Sequence, residues 1–242
     1  MKKILLYLAF LSVAVVSCKR DETPEEQPEI SVEMQNTYDD QAAEDFLQTH
    51  YLDAKGNIKD LAATDTVNVK LKNLNPITLS SGVIYIIRNN AQPTPGTAIQ
   101  PKDIIRLMSS SISYSSGEVN GKVSYQNGVS FRNTIATTGV PEVDPNYYYI
   151  KSSLLNAFNK RYNTSYDHSF FEIEGFQEGL QKFKAFDIGD DVAYNLQGVI
   201  IVPSRAAYAR DPHYSTGISL RNRSFVFAVQ VYKTTTRPES EY

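Results

Sequence analysis

Little in this 242-residue chain is equipped for bond-making chemistry. Its three histidines, His50, His168 and His213, lie far apart, and none has a neighbour at the spacing a metal site needs, so no metal is expected. No Gly-x-Ser-x-Gly elbow presents a serine, and no glycine-rich loop follows a strand to cradle phosphate. Cys18 is the one thiol and so forms no internal disulfide. Chemistry that asks for no nucleophile, metal or proton relay stays open, and no cofactor is expected.

Cys18 stands at the end of a leader. Lys2 and Lys3 form a basic start, and residues 4–16 are an apolar run broken only by Tyr7 and Ser12. That run is too short for a resident membrane span. It ends Val15-Val16-Ser17-Cys18, which resembles the lipobox of bacterial lipoproteins. The resemblance implies cleavage before Cys18 and acylation of its thiol and new amino group, and stable anchoring needs more than one chain. An ordinary secretory peptide with a chance cysteine is the other reading. Residues 1–17 are expected to be a signal peptide outside the fold. The lipid would tie the protein to the bacterial envelope, at the outer membrane, facing periplasm or exterior.

Loss of Lys2 and Lys3 with the leader moves the balance from 24 basic and 27 acidic side chains, net −3, to net −5. A mildly acidic protein has no electrostatic reason to seek nucleic acid, and no basic stripe with interleaved aromatics is present. Residues 18–38 are rich in Glu and Pro, poor in apolar side chains, and read as a flexible tether. The charged cluster Lys19-Arg20-Asp21-Glu22 is similar to surface-export signals and reads equally as plain linker.

The folded part begins with an extension over residues 39–80. Ala43, Phe46, Leu47 and His50 share one helical face, with Asp39 or Asp40 as N-cap. Gly56 and Asn57 mark a turn, and alternation over 66–71 predicts an edge strand. The extension is expected to pack on the main domain as a layer. Residues 82–87 and 103–107 read as strands, separated by a loop carrying Pro93, Pro95 and Gly96. A hairpin over about 112–126 has Gly117, Asn120 and Gly121 as turn residues, and 152–162 has helical spacing after a Ser cap. Tyr147-Tyr148-Tyr149 read as a strand packed on the core or, less naturally, as a peptide-contacting surface.

One stretch carries more. Ile173-Glu174-Gly175-Phe176 is followed by Val199 to Val202, Pro203-Ser204, Ala206-Ala207-Tyr208, Gly217-Ile218-Ser219 and a strand through Phe227. Upstream, Asn127-Gly128-Val129-Ser130-Phe131-Arg132 follows the hairpin. In this order the motifs resemble FKBP-type peptidyl-prolyl cis-trans isomerases over residues 81–235, with three insertions and a tail at 236–242. The resemblance implies an α+β fold: a twisted antiparallel β-sheet wrapped around a short α-helix. It implies a proline pocket whose catalytic residues are Tyr208, Phe176 and Phe227, with Phe131, Ile173, Ile218 and Arg132 binding substrate. Phe176 would be the floor, and Tyr208 would donate its hydroxyl to the substrate carbonyl. Four positions depart: Ser109 stands where the family has a tyrosine, Arg132 where it has an aspartate, and Leu220-Arg221 where it has prolines.

Rotation about a peptide bond must cross a barrier of about 18–20 kcal/mol, and for X–Pro the two wells lie close in energy. A dry apolar pocket that binds the twisted amide better than the planar one is sufficient. The expected function is therefore prolyl isomerisation of X–Pro-containing exported polypeptides. The alternatives are a catalytically weakened binding or chaperone module on the same fold, and a structural subunit of an envelope complex.

Overall fold

The computed structural model describes residues 29–215 and 217–242. The leader, Cys18 and most of the expected tether lie outside the described residues. Ser31–Tyr242 fold as one unit.

Helix α1 (Val32–Thr49) begins earlier than its apolar face predicts, because Ser31 caps it, its hydroxyl accepting from Met34 N at 3.1 Å, with Glu33 in the first turn. The tether expected as far as residue 38 is thus helical from Val32. Asp39 is no cap: it sits mid-helix, fully buried, accepting from Gln35 Nε2, Ser116 Oγ, Ser204 N and Ser204 Oγ at 2.5–2.9 Å. A hairpin follows, β1 (His50–Leu52) and β2 (Ile58–Asp60), turning at Gly56 with φ +83°. The strand expected over 66–71 does not form. Asp65 Oδ1 accepts from Val67 N and Asn68 N instead, a local turn that competes with any ladder, and residues 71–73 make a 3₁₀ turn.

The remaining strands are β3 (Ile77–Thr78), β4 (Ile84–Ile87), β5 (Thr97–Ala98), β6 (Ile104–Val119), β7 (Lys122–Asn133) and β8 (Glu142–Val143). After helices α2 (Ser152–Tyr162) and α3 (Glu174–Leu180) come β9 (Lys184–Ala185), β10 (Gly198–Val202), β11 (Tyr214–Ser215), β12 (Ile218–Ser219) and β13 (Arg223–Thr235). The main sheet runs β3-β4-β10-β13-β6-β7, all antiparallel, with β8 continuing the β7 edge along Arg106 and Leu107. The β6–β7 hairpin turns at Asn120 and Gly121, both at positive φ, as a two-residue loop requires; Gly117, expected in the turn, lies inside β6. Helix α2 has the bounds its spacing predicts, but its N-cap is Lys151 with no side-chain bond.

The α+β class and the antiparallel sheet packed on a short helix are those the resemblance implied. Both faces are covered, so β10 and most of β13 are buried continuously. Phe225, Phe227, Val229 and Val231 of β13 face α3, while Val226 faces α1, the period of two expected of a strand. Gly175 and Gly179 set the close approach of α3 to β10: a Cβ on Gly179 would lie 2.5 Å from Ile200 Cγ2, and one on Gly175 2.6 Å from Val202 Cγ1. Beyond β13 the chain remains packed, with Arg237 buried on Asp144.

Candidate functional site

Strand β13 supplies Phe227, the N-terminal turn of α3 supplies Phe176, and the end of β7 supplies Phe131. The three rings meet. Phe176 and Phe227 are 4.3 Å apart between centroids, and Phe131 stands edge-on to Phe227 at 6.2 Å. Phe225 extends the group, 5.0 Å from Phe131 and 6.0 Å from Tyr208. One aromatic cup on the α3 face is therefore present.

It is full. The Tyr147 ring lies 5.3 Å from Phe131, 5.5 Å from Phe176 and 6.2 Å from Phe227. Phe176 and Phe227 are consequently fully buried, and neither lines an open space. The Tyr147-Tyr148-Tyr149 run is core, as expected, but in a turn and not in a strand. The three rings are 4%, 1% and 4% exposed, which excludes a peptide-contacting surface made of all three. Burial pushes the Tyr147 phenol well above its ordinary pKa, the Glu142 carboxylate adds to this, and the neighbouring Ser109 hydroxyl acts the other way. Ser109, where the resemblance led one to expect a tyrosine, thus lies beside a tyrosine from elsewhere in the chain. A small residue where an aromatic was expected is the one sequence signal that could have raised the question of a filler, and it does not say which residue that is.

Above Tyr147 opens a cleft of about 510 Å³. Its walls include Phe131, Arg132, Tyr147, Tyr208, His213 and Leu220, and Phe158, Tyr166, Phe170 and Phe171 close the far side. The exposed Arg132 guanidinium lies 5.2 Å from the Phe131 centroid and 5.7 Å from that of Tyr147, so this cation stands over the rim of the cup. Ile218 is half-buried on the β11–β12 hairpin and does not line the cleft; Leu220 does. Ile173 is buried beneath, its backbone N–H donating to Tyr147 O at 2.8 Å.

The Tyr208 hydroxyl, expected to donate to a substrate carbonyl, donates instead to Phe171 O at 2.9 Å. Its ring stacks on His213 at 4.0 Å. Burial raises the Tyr208 pKa, partly offset by Arg132, so the hydroxyl is a neutral donor at any physiological pH. Burial lowers the His213 pKa, so that imidazole is neutral near pH 7. Among the described residues no titrating pair faces the cup. The one hydroxyl and the one backbone N–H beside it are both engaged within the chain, on Phe171 O and on Tyr147 O.

The sequence pattern left Phe225 and His213 out of the site, gave Tyr147 to the core before any peptide surface, and took Leu220 only as a departure from the expected prolines. On the opposite face a cavity of about 390 Å³ lies beside the end of α1, lined by Phe46, His50, Asp60, Ile112, Tyr114 and Val226 among others. Among the described residues no group of His, Cys, Asp and Glu is placed to hold a metal ion, and no helix is long and apolar enough to cross a membrane.

No protein-family profile matches the chain, and no curated protein does. Among solved structures it is similar to FkpA from Escherichia coli, with 20% identity, a TM-score of 0.39, and coverage of 67% of this chain and 53% of that one. It is also similar to a peptidyl-prolyl cis-trans isomerase from Pseudomonas syringae pv. tomato, with 9% identity, a TM-score of 0.39, and coverage of 87% and 100%. The chain thus spans about half the length of FkpA. Both scores lie below 0.5, so the fold class rests on this chain's own strand order and helix placement.

Proposed function

We propose that this chain is an FKBP-type module that binds exported polypeptides at the bacterial envelope and isomerises their X–Pro bonds, anchored through a lipid on Cys18. The observation that carries the reading is the convergence of Phe131, Phe176 and Phe227, from three separate elements, on one cup with Tyr208 at its side. Such a cup packs a pyrrolidine ring on flat apolar surface and excludes water from the twisting amide. Catalysis requires Tyr147 to leave the cup and the Tyr208 hydroxyl to exchange Phe171 O for the substrate carbonyl. The lipobox-like Val15-Val16-Ser17-Cys18 supports the anchor.

A second reading, a polypeptide-binding module without turnover, is favoured by that same Tyr208–Phe171 bond. A protease-coupled assay with an X–Pro peptide separates the two. The isomerase reading expects acceleration by the purified chain, and a reduced rate for Tyr208→Phe. Turnover no faster than the uncatalysed rate, in the wild type and in Tyr147→Gly alike, rejects the enzyme and leaves the binding module.

A further inference from the structure

Helix α1 covers its face of the sheet only as far as its last turn, and beyond it the sheet lies open. Ile112, in the middle of β6, is 36% exposed, a high value for an apolar side chain on a strand paired on both sides. With Ser110 of β6 and Val226 and Ala228 of β13 it floors the cavity of about 390 Å³. Phe46 and His50, stacked at 3.7 Å, form one wall, and the β1–β2 hairpin forms another. A second hollow of about 260 Å³ shares Phe46, His50, Asp60 and Tyr114 with the first and reaches Tyr125. The Tyr114 and Tyr125 rings are stacked 5.2 Å apart, so an aromatic surface continues from one hollow to the next.

The polar groups here have capacity that the fold does not use. His50 Nδ1 lies 3.0 Å from both Phe46 O and Thr49 Oγ1, and Thr49 Oγ1 gives its own hydrogen to Asp45 O at 2.8 Å. Both neighbours of Nδ1 are therefore acceptors, and Nδ1 carries the ring proton. Burial lowers the His50 pKa, so the ring is neutral near pH 7. Nε2 then turns a bare lone pair to Asp60 Oδ1 at 3.0 Å, and two acceptors face each other with no hydrogen between them. Asp45, the other carboxylate near the ring, is taken by Lys122 at 2.6 Å. Among the described residues the Ser110 hydroxyl and the Asn133 side-chain N–H groups have no hydrogen-bond partner; Asn133 spends only its Oδ1, on Ala136 N at 2.9 Å.

A ligand with adjacent hydroxyls and an apolar face meets these demands together. Two neighbouring O–H groups supply the missing hydrogens, one to His50 Nε2 and one to Asp60, while Ser110 and Asn133 serve further oxygens. The C–H face of the same ligand packs on Ile112 and Tyr114. An anion finds no free cation, because Lys122 is paired and Lys59 stands on the opposite face of β2 from Ile58 and Asp60. A lone ammonium would serve the His50–Asp60 pair and leave Ser110 and Asn133 unmet. A wholly apolar ligand would strip water from all four polar groups and replace none of it. We infer that the cavity beside α1 is a saccharide site, which holds a neutral sugar by a vicinal diol on His50 and Asp60 and extends along Tyr114 and Tyr125 to a second sugar unit. It lies on the opposite face of the sheet from the aromatic cup and does not depend on the isomerase reading.

The test reads the imidazole first and the ligand second. Nitrogen-15 spectra of the full chain at about pH 7.5 are expected to show His50 as the neutral Nδ1–H tautomer; an imidazolium, and with it an ordinary ion pair to Asp60, overturns the inference. The full chain and its Asp60→Ala variant are then applied to an array of immobilised oligosaccharides. Neutral ones built from glucose, galactose, mannose and N-acetylglucosamine stand beside sialylated ones, and putrescine is titrated separately as a cationic probe. The wild type is expected to bind neutral oligosaccharides, and Asp60→Ala to bind them about tenfold more weakly through loss of a charged acceptor. The Asp60 side chain is almost wholly exposed, so its removal leaves the fold intact. Ile112→Trp, which fills the floor of the cavity, is expected to abolish binding. No neutral oligosaccharide bound, binding of the sialylated set or putrescine alone, or binding undiminished in either variant overturns the inference.

Discussion

On one face of the sheet, α3 lies so close to β10 that Gly175 and Gly179 leave no room for a side chain, and aromatic rings fill the space beyond. On the other, α1 packs Ala43, Phe46 and Leu47 against the sheet, is tied to it by the buried carboxylate of Asp39, and leaves a cavity beyond its C-terminal end. The open cavity beside α1 holds His50 paired with the exposed Asp60 at 3.0 Å, and its lining mixes polar residues such as Asn57, Lys59 and Asn133 with apolar ones. The filled one converges rings from β7, β13 and α3 on a single point. Open space therefore lies on both faces, in the cavity beside α1 and in the cleft above the cup, but on the α3 face the chain fills the centre of the converging rings with its own tyrosine.

That contrast can be broken by mutation. Phe176→Ala removes a fully buried ring from the α3 face and is expected to destabilise the fold by about 4 kcal/mol, measured by denaturant unfolding. Asp39→Ala leaves the Ser204 N–H and two hydroxyls without their acceptor on the α1 face. It is expected to lose about 3 kcal/mol while peptide affinity at working temperature stays unchanged. A changed affinity would mean that the faces are coupled. Gly179→Ala places a methyl against Ile200 and is expected to lose about 2 kcal/mol; a neutral result would show that α3 can move away from β10.

The smallest effect is one of pH and involves both faces. Burial lowers the pKa of His50 beside α1 and of His213 beside the cup. An imidazole whose folded pKa is depressed binds fewer protons in the folded state than in the unfolded one. Its contribution is intact above the ordinary value near 6.5 and is lost as pH falls below it. Thermal melts between about pH 7.5 and 5.5 should fall by about 2–3 °C, and His213→Gln should flatten part of that slope. A slope unchanged by the substitution would place the effect on His50 alone.

Much of this was legible in the residues, where signals are local. The spacing of Leu155 and Phe158 gave α2 its bounds, and β-branched runs marked β4, β10 and β13. The start of α1 was obscured by the acidic composition ahead of Ser31, since capping depends on one hydroxyl and not on the surrounding charge. Val67 and Val69 alternated as a strand does, yet Asp65 captured the backbone first. The rings of the cup were readable as a set, because their order along the chain carried them. Its occupant was not, because which side chain fills the space beside Ser109 is decided by contacts between distant elements, and periodicity says nothing of these.

The most direct test follows the Tyr147 ring itself. Nuclear Overhauser contacts between Tyr147 and the rings of Phe176 and Phe227 are expected in the free protein. With saturating X–Pro peptide they should disappear, while those between β13 and β6 persist. A peptide that binds and leaves the Tyr147 contacts unchanged would contradict a polypeptide site in the cup.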